Sequence, residues 1–241
     1  MTRIRHGAAD RGVAAQAQAA FPDGGKAAHV NRALLGRAVR YMARAGITQF
    51  IDLGSGLPTV RNTHEIAQAV NPGARVVYVD NDPIVLAHGR ALLADSDSTV
   101  VVTADLLEPD AVLSTPDLAG FLDLSRPAGL ILNAVVHHVL DTEKPHEAVA
   151  RYRELLAPGS YLLLTHFSEY SPQARGLEEV LLRMLGRGQL RSRAEITAFF
   201  DGFVLVPPGI VHLPEWNPDE AVKYPMDISG LLFLGGLGRK P

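Results

Sequence analysis

The chain has 241 residues and no cysteine, so it can form one large α/β domain with a buried core but no disulfide, thiolate nucleophile or cysteine zinc site. Its 23 basic and 26 acidic residues nearly balance, and no long basic run indicates nucleic acid as a partner. The sequence shows neither a signal peptide nor an apolar span of about 18 residues, which predicts a cytoplasmic protein with no membrane partner.

Apolar patterning predicts a helix over residues 26–45, followed by five strands that alternate with helices. The predicted strands are residues 49–53, 75–80, 99–103, 129–132 and 161–165. Helices are predicted at residues 63–70, 83–94, 145–156, 172–186 and 192–200, with short helical pieces near Pro109 and Pro116 and late strands at residues 203–206 and 230–237. Because the five strands are almost continuously apolar, they predict a parallel sheet with helices on both faces. We predict one domain over residues 26–241, preceded by a poorly defined segment over residues 1–25.

The first predicted strand ends on an acid that is followed by two glycines, in the order Asp52-Leu53-Gly54-Ser55-Gly56. Glycine has no Cβ, so a strand that turns into a helix at Gly-x-Gly lets the backbone approach a ligand closely. Asp52 lies where its carboxylate can point into the crevice at the carboxyl edge of a parallel sheet. A glycine pair also occurs in tight turns that bind nothing, so this motif alone does not identify a ligand.

The second predicted strand also ends in an acid, Asp80, which is followed by Asn81. An acid at this position can accept hydrogen bonds from a ribose diol. Two successive strands that end in acids, on either side of a Gly-x-Gly turn, favour a ligand that contains adenosine.

The turn distinguishes two classes of such ligands. A dinucleotide fold requires a third glycine where this chain has Thr59, and Asp52 would repel a pyrophosphate. Asp52 suits instead a ligand with a cationic amino group. S-adenosylmethionine carries an ammonium and a sulfonium but no phosphate, so the sequence favours a methyl donor.

These motifs, in this order, resemble the Rossmann-like class I S-adenosylmethionine-dependent methyltransferases. More narrowly, they resemble the actinobacterial family described as S-adenosyl methyltransferase, formerly a domain of unknown function. The resemblance runs from about Asn31 to the C-terminus and is most specific at residues 31–41, 52–59, 62–65, 76–83 and 235–241. It implies a seven-stranded, mostly parallel sheet with an antiparallel last strand, S-adenosylmethionine as cofactor and a small-molecule acceptor. One departure is that family members usually continue Gly-Gly-Lys with Asp-Asn, where this chain has Ala27 and Ala28.

The resemblance also implies which residues contact the cofactor, all of them after the first four strands. The methionine part would be lined by Asp52, Gly54, Ser55 and Gly56. The ribose hydroxyls would bind to Asp80, and the adenine would lie beside Asn81, Ala104, Asp105 and Leu106. The reactive methyl would lie above Asn133 and Ala134.

Three histidines near predicted strand ends are candidates for a general base: His137, His138 and His166. A positioned base accelerates transfer to a hydroxyl by about 10²–10⁴-fold. Each of these histidines can equally serve in packing or in capping a backbone carbonyl. Together with Asp141 they offer metal-ligand chemistry, but adjacent histidines rarely direct both rings at one ion, so we predict no metal.

We therefore predict a methyltransferase that acts on a small molecule in secondary metabolism, by in-line transfer with a histidine base where the acceptor needs one. A homodimer is compatible with the sequence. Two alternatives stay open at this point. One is a regulatory or scaffold protein that binds S-adenosylmethionine without transferring methyl. The other is an NAD(P)-dependent oxidoreductase, which Thr59 and Asp52 disfavour.

Overall fold

The structure, a computed structural model, describes residues 24–56, 62–93, 96–169 and 188–241. One mixed sheet forms its centre. The strands are β1 (Gln49–Leu53), β2 (Arg75–Asp80), β3 (Thr99–Thr103), β4 (Gly129–Asn133), β5 (Tyr161–Phe167), β6 (Val204–Leu205), β7 (Val211–His212) and β8 (Phe233–Arg239). The helices are α1 (Gly24–Arg44), α2 (Thr63–Val70), α3 (Pro83–Leu93), α4 (Pro109–Leu113), α5 (Pro145–Leu155), α6 (Arg193–Ala198) and α7 (Ile228–Leu231). None of the described helices combines the length and apolar character needed to cross a membrane.

The strands are arranged in the order β3-β2-β1-β4-β5-β8-β6, and β7 also pairs with β8. Strands β1 to β5 are parallel, whereas β8 runs antiparallel to β5, β6 and β7. The chain order reverses between β1 and β4, and a ligand crevice lies outside the carboxyl ends of the strands at such a switch point. The topology therefore brings the ends of β1, β2 and β4 to one edge.

Alternate residues of each strand pack into two hydrophobic clusters, one on each face of the sheet. Phe50 and Leu163 face the cluster that contains α1 and α2. Ile51 and Leu164 face the cluster that contains α4, α5 and α6. Because side chains alternate along a strand, Asp52 lies on the α1 face together with Phe50. The prediction of an α/β sheet covered on both faces is confirmed.

The antiparallel edge differs in detail from the prediction. The sheet has eight strands among the described residues rather than seven, because the chain after β6 returns as β7 and pairs with β8. The last strand begins at Phe233 rather than at residue 230, since Asp227 caps the short helix α7 by accepting a hydrogen bond from the Gly230 amide. Only turns follow α4 near Pro116. The helix predicted over residues 172–186 lies outside the described residues.

A buried arginine holds the loop that follows β4. Arg191 is 1% exposed and donates to the carbonyl oxygens of Val136 (3.2 Å) and Val139 (2.9 Å). It also forms an ion pair with Asp141 (Nη2 to Oδ1, 2.7 Å) and donates from Nη1 to Nε2 of His166 (2.6 Å). The Arg191 guanidinium thus fixes both ends of the turn over residues 136–139 and connects this turn to β5.

Replacement of Arg191 by methionine is expected to lower the free energy of unfolding by about 3–5 kcal/mol, because two buried carbonyls and a buried imidazole lose their donor. Denaturant titration monitored by circular dichroism measures the loss. The matched control is Arg151→Met, which removes exposed ion pairs with Asp110 and Glu154 and should leave the free energy of unfolding nearly unchanged. Equal losses in the two variants would contradict the role assigned to Arg191.

Candidate active site

Two cavities open side by side at the carboxyl ends of the parallel strands. The smaller has a volume of about 300 Å³ and lies between α1 and the ends of β1 and β4. The larger has a volume of about 540 Å³ and lies over the ends of β2 and β3. Gly54 and Ala134 line both. The crevice therefore extends across four strand ends, and these two residues lie where the cavities adjoin.

The glycine turn after β1 is anchored on β2. The amides of Gly54 and Ser55 donate to the carbonyl oxygen of Val79 at 2.8 and 3.3 Å. Gly54 and Gly56 both have φ = +64°, a left-handed conformation that favours glycine. A Cβ on Gly54 would lie 2.2 Å from Cγ2 of Val135, whereas a Cβ on Gly56 would meet nothing within 4 Å. The first glycine is thus required by packing, and the second leaves open space beside the larger cavity.

Asp52 is a buried carboxylate that lines the smaller cavity. It is 6% exposed, and its Oδ2 accepts a hydrogen bond from the Thr63 hydroxyl at the start of α2 (2.6 Å). Burial raises the pKa of Asp52 from 3.8 to about 6, although the Thr63 hydrogen bond and the charge of Arg32 act in the opposite direction. A buried carboxylate with this pKa is stabilised as an anion when a cation enters the cavity.

Asp80 lies at the end of β2 and lines the larger cavity. Its Oδ2 accepts from the Gly56 amide and its Oδ1 from the Asp82 amide, each at 2.9 Å. These bonds fix the carboxylate, and each oxygen keeps a further lone pair for a ligand hydroxyl. The remaining predicted residues on this side also line the larger cavity: Asn81, Ala104, Asp105 and Leu106. The structure thus brings together the residues predicted to surround an adenosine.

Asn133 and Ala134 follow β4 and line the smaller cavity. The Ala134 amide donates to the Thr165 hydroxyl (2.8 Å), which in turn donates to Oδ1 of Asn31 on α1 (2.8 Å). Ala134 has φ = +58°, so the chain turns sharply out of β4 at this residue. The hydrogen bonds through Thr165 connect this turn both to β5 and to α1.

The three candidate histidines occupy different environments. The ring of His137 lines the smaller cavity, 4.0 Å from the ring of Phe167, whereas His138 lines the larger cavity. His137 is 2% exposed, and its Nδ1 has no hydrogen-bond partner among the described residues. Burial, and then the neighbours His138, His166 and Arg191, lower the pKa of His137 well below its usual range. His137 is therefore a neutral imidazole at the cavity wall.

His166, predicted as a candidate base at the end of β5, lines neither of the two cavities. It is fully buried, its Nδ1 donates to the carbonyl oxygen of Phe167 (2.7 Å), and its Nε2 accepts from Arg191. Burial is the main reason why the pKa of His166 falls to about 3. Pairing with β8 extends β5 through His166 to Phe167, so the His166 side chain lies on the face opposite Asp52. Both of its nitrogens are engaged there, away from the crevice.

Sequence reasoning missed the contribution of α1 to the smaller cavity. Five α1 residues line this cavity: Ala27, Ala28, Asn31, Arg32 and Leu35. Their spacing of three and four residues shows in the sequence that they share one face of a helix. The sequence does not reveal which strand ends that face covers. Phe167 and Phe233 complete the wall. Within the described ranges, no group of three or more His, Asp or Glu side chains is arranged to hold a metal ion.

The comparisons with known proteins agree with this geometry. A family model described as S-adenosyl methyltransferase matches residues 5–241. A candidate methyltransferase from Thermobifida fusca is 45% identical, with a TM-score of 0.92 over 96% of this chain and 88% of its own. A DUF574-family protein from Streptomyces avermitilis is 40% identical, with a TM-score of 0.89 over 96% and 90% of the two chains.

A more distant structure shares the fold. The N-methyltransferase NodS from Bradyrhizobium japonicum, in complex with S-adenosyl-L-homocysteine, is 13% identical, with a TM-score of 0.52 over 86% of this chain and 85% of its own. No curated protein sequence matches the chain. The fold, the two acids around the glycine turn and the family match over nearly the whole sequence agree, and we conclude that the chain belongs to the S-adenosyl methyltransferase family, enzymes that use S-adenosylmethionine as cofactor.

Proposed function

We propose that this enzyme transfers the methyl group of S-adenosylmethionine to a small-molecule acceptor bound beside His137. The observation that supports this most directly is that Asp52 and Asp80 lie on either side of the glycine turn and line two cavities that meet at Gly54. This arrangement offers an anion for the amino group in the smaller cavity and a hydrogen-bond acceptor for the ribose in the larger.

In this proposal the larger cavity binds the adenosine half of the cofactor. Asp80 accepts hydrogen bonds from the ribose hydroxyls, because its carboxylate is already oriented by two backbone amides. Asp105 is held in the same way by the Leu107 amide at one oxygen (2.9 Å), and its other oxygen can accept from the adenine amino group. Ala104 and Leu106 supply apolar surface for the ring, and Asn81 borders it.

The smaller cavity receives the methionine half and the acceptor. When bound, S-adenosylmethionine supplies an electrophilic methyl group on a sulfonium. Asp52, with Gly54 and Ser55, orients the amino end, and Asn133 and Ala134 form the floor near the methyl. Alignment of two reacting groups in a confined site can contribute up to about 7–11 kcal/mol to catalysis. Positioning is therefore the main contribution that this site makes.

His137 is the histidine best suited to take a proton from the acceptor. It lines the smaller cavity, whereas His138 lines the adenosine side and both nitrogens of His166 are engaged. Burial, with His138, His166 and Arg191 nearby, lowers the pKa of His137, so its imidazole is neutral at physiological pH but is also a weaker base. Its suitability therefore rests on its place at the cavity wall and on its Nδ1, which has no hydrogen-bond partner among the described residues. Acceptors that lose a proton during transfer benefit from it. A role in secondary metabolism, a homodimer and a single domain over residues 26–241 stay predictions.

Calorimetry with S-adenosylhomocysteine tests the cofactor site. The protein should bind this product, and Asp80→Asn should weaken binding by roughly 10- to 100-fold, because a charged acceptor of two ribose hydroxyls is replaced by a neutral one. Asp117→Asn, at an exposed position outside both cavities, is the control and should leave the affinity unchanged. Heat with NAD but none with S-adenosylhomocysteine would overturn the assignment.

Binding of S-adenosylhomocysteine should depend on pH through Asp52. Above about pH 6 the carboxylate is ionised and attracts the ligand ammonium. As the pH falls below 6, Asp52 becomes protonated, and the affinity should fall by up to about tenfold per pH unit. Titrations from pH 5 to pH 8 measure this. Asp52→Asn should bind more weakly at pH 8 and lose the pH dependence. A wild-type affinity that stays constant across this range would argue against an Asp52–ammonium contact.

Replacement of His137 by glutamine should lower kcat by about 10²–10⁴-fold for acceptors that must lose a proton, and leave the Kd of S-adenosylhomocysteine unchanged. A panel of phenols, alcohols and amines assayed with labelled S-adenosylmethionine supplies the acceptor. His138→Gln is the matched control, whose effect should appear in cofactor affinity rather than in kcat. If the His137 variant retains full kcat with a hydroxyl acceptor, His137 is not the base.

A further inference from the structure

Arg32 lies on α1 and lines the smaller cavity together with Asp52, Gly54 and Ser55. It is half-buried, and within the described part of the chain its guanidinium makes no hydrogen bond or ion pair. Arginine presents five N–H donors in a planar fork that matches a carboxylate. The Arg32 guanidinium is half-buried, lines a ligand cavity and has no hydrogen-bond acceptor in the described residues. It is therefore available to bind an anion in that cavity.

Two other arginines on the same helix have structural partners. Arg37 donates to the carbonyl oxygens of Leu213 and Trp216 at 2.6 and 2.8 Å. Arg40 forms an ion pair with Asp219 (2.8 Å). These contacts hold the segment after β7 against the outer side of α1. Arg32, at the smaller cavity, makes no such contact in the described residues, which distinguishes it from Arg37 and Arg40.

Arg32 and Asp52 place opposite charges on one cavity without contacting each other. The charge of Arg32 lowers the pKa of Asp52 through space, although burial of the carboxylate has the larger, opposite effect. The only side chain that donates a hydrogen bond to Asp52 in the described residues is Thr63. A ligand with an ammonium near Asp52 and a carboxylate near Arg32 would match both charges at once. An α-amino acid has this pair of groups.

We propose that Arg32 binds the α-carboxylate at the methionine end of the cofactor, and that Arg32 and Asp52 together select sulfonium nucleosides that carry an intact α-amino acid. This rests on the proposed function, because it requires the methionine end to lie in the smaller cavity. Ala28, one helical turn before Arg32, also lines the cavity, and its small side chain leaves space beside the guanidinium. The pair distinguishes a zwitterion from an amine or an uncharged thioether.

A carboxylate on the methyl acceptor has the same chemistry and could occupy the same fork. Ligands that contain only the cofactor separate these two sources. S-adenosylhomocysteine carries both the ammonium and the carboxylate. Its decarboxylated form keeps the ammonium and lacks the carboxylate, so the difference between the two ligands isolates the group that Arg32 would bind.

Calorimetry at pH 8, where Asp52 is ionised, compares both ligands on the wild type and on Arg32→Gln. The wild type should bind S-adenosylhomocysteine roughly 10- to 100-fold more tightly than the decarboxylated form. Arg32→Gln should lose about this factor for S-adenosylhomocysteine and keep the wild-type affinity for the decarboxylated form. Arg32→Lys should recover part of the loss, because it restores the charge but not the fork. Arg40→Gln removes a positive charge from the same helix and should change neither affinity.

Retained binding of the decarboxylated ligand also shows that the Arg32 variant is folded. Two results would overturn the proposal. An unchanged affinity of Arg32→Gln for S-adenosylhomocysteine would mean that Arg32 does not bind the cofactor carboxylate and is left to bind a carboxylate of the methyl acceptor. An equal loss of affinity for both ligands would indicate a general disturbance of the cavity. A wild-type protein that binds neither ligand would refute the proposed function instead.

Discussion

The crevice depends on how closely the turn after β1 approaches the loop after β4. Gly54 and Val135 lie so near each other that even a methyl group on the glycine has no space. This contact lies where the cavity at β2 and β3 adjoins the cavity at α1, since Gly54 lines both and Val135 lines the first. Arg191 secures the other side of the contact, because it binds the carbonyls that follow Val135 from behind the sheet. The middle of the crevice is thus formed by two loops in van der Waals contact.

Around this contact, the polar groups are distributed by face of the sheet. Asp52 and Asn31 lie on the α1 face, where the smaller cavity opens, while His166 and Arg191 lie on the opposite face and stabilise the loop. Asp52 and His137, which line the smaller cavity, have pKa values shifted by burial and few protein partners, as expected of groups that bind a ligand. His166 and Arg191 on the closed face bond to one another. The alternation of side chains along the strands therefore separates a binding surface from a supporting network.

The sequence was sufficient for the parts of the molecule that local pattern determines. Continuous apolar runs predicted the five parallel strands. The acids at two strand ends predicted that Asp52 and Asp80 line one crevice, because neighbouring parallel strands end at the same edge of the sheet. The sequence did not reveal that β5 continues through His166 to Phe167, because the partner strand β8 lies far along the chain. The α1 wall was missed for a similar reason. Helical spacing reveals a face, but only tertiary packing determines that Arg32 faces Asp52 rather than solvent.

Strand β8 has a consequence for how the protein is made. It lies inside the sheet, between β5 and the short strands β6 and β7, and its backbone passes so close to Gly209 and Leu164 that Gly236 and Gly235 have no space for side chains. Until residues 233–239 have left the ribosome, the nascent chain carries β5 with one apolar edge unpaired, which is the kind of edge that recruits other chains. The wall formed by Phe167 and Phe233 is also missing until then. The smaller cavity is therefore complete only after β8 has paired with β5, late in the formation of the sheet.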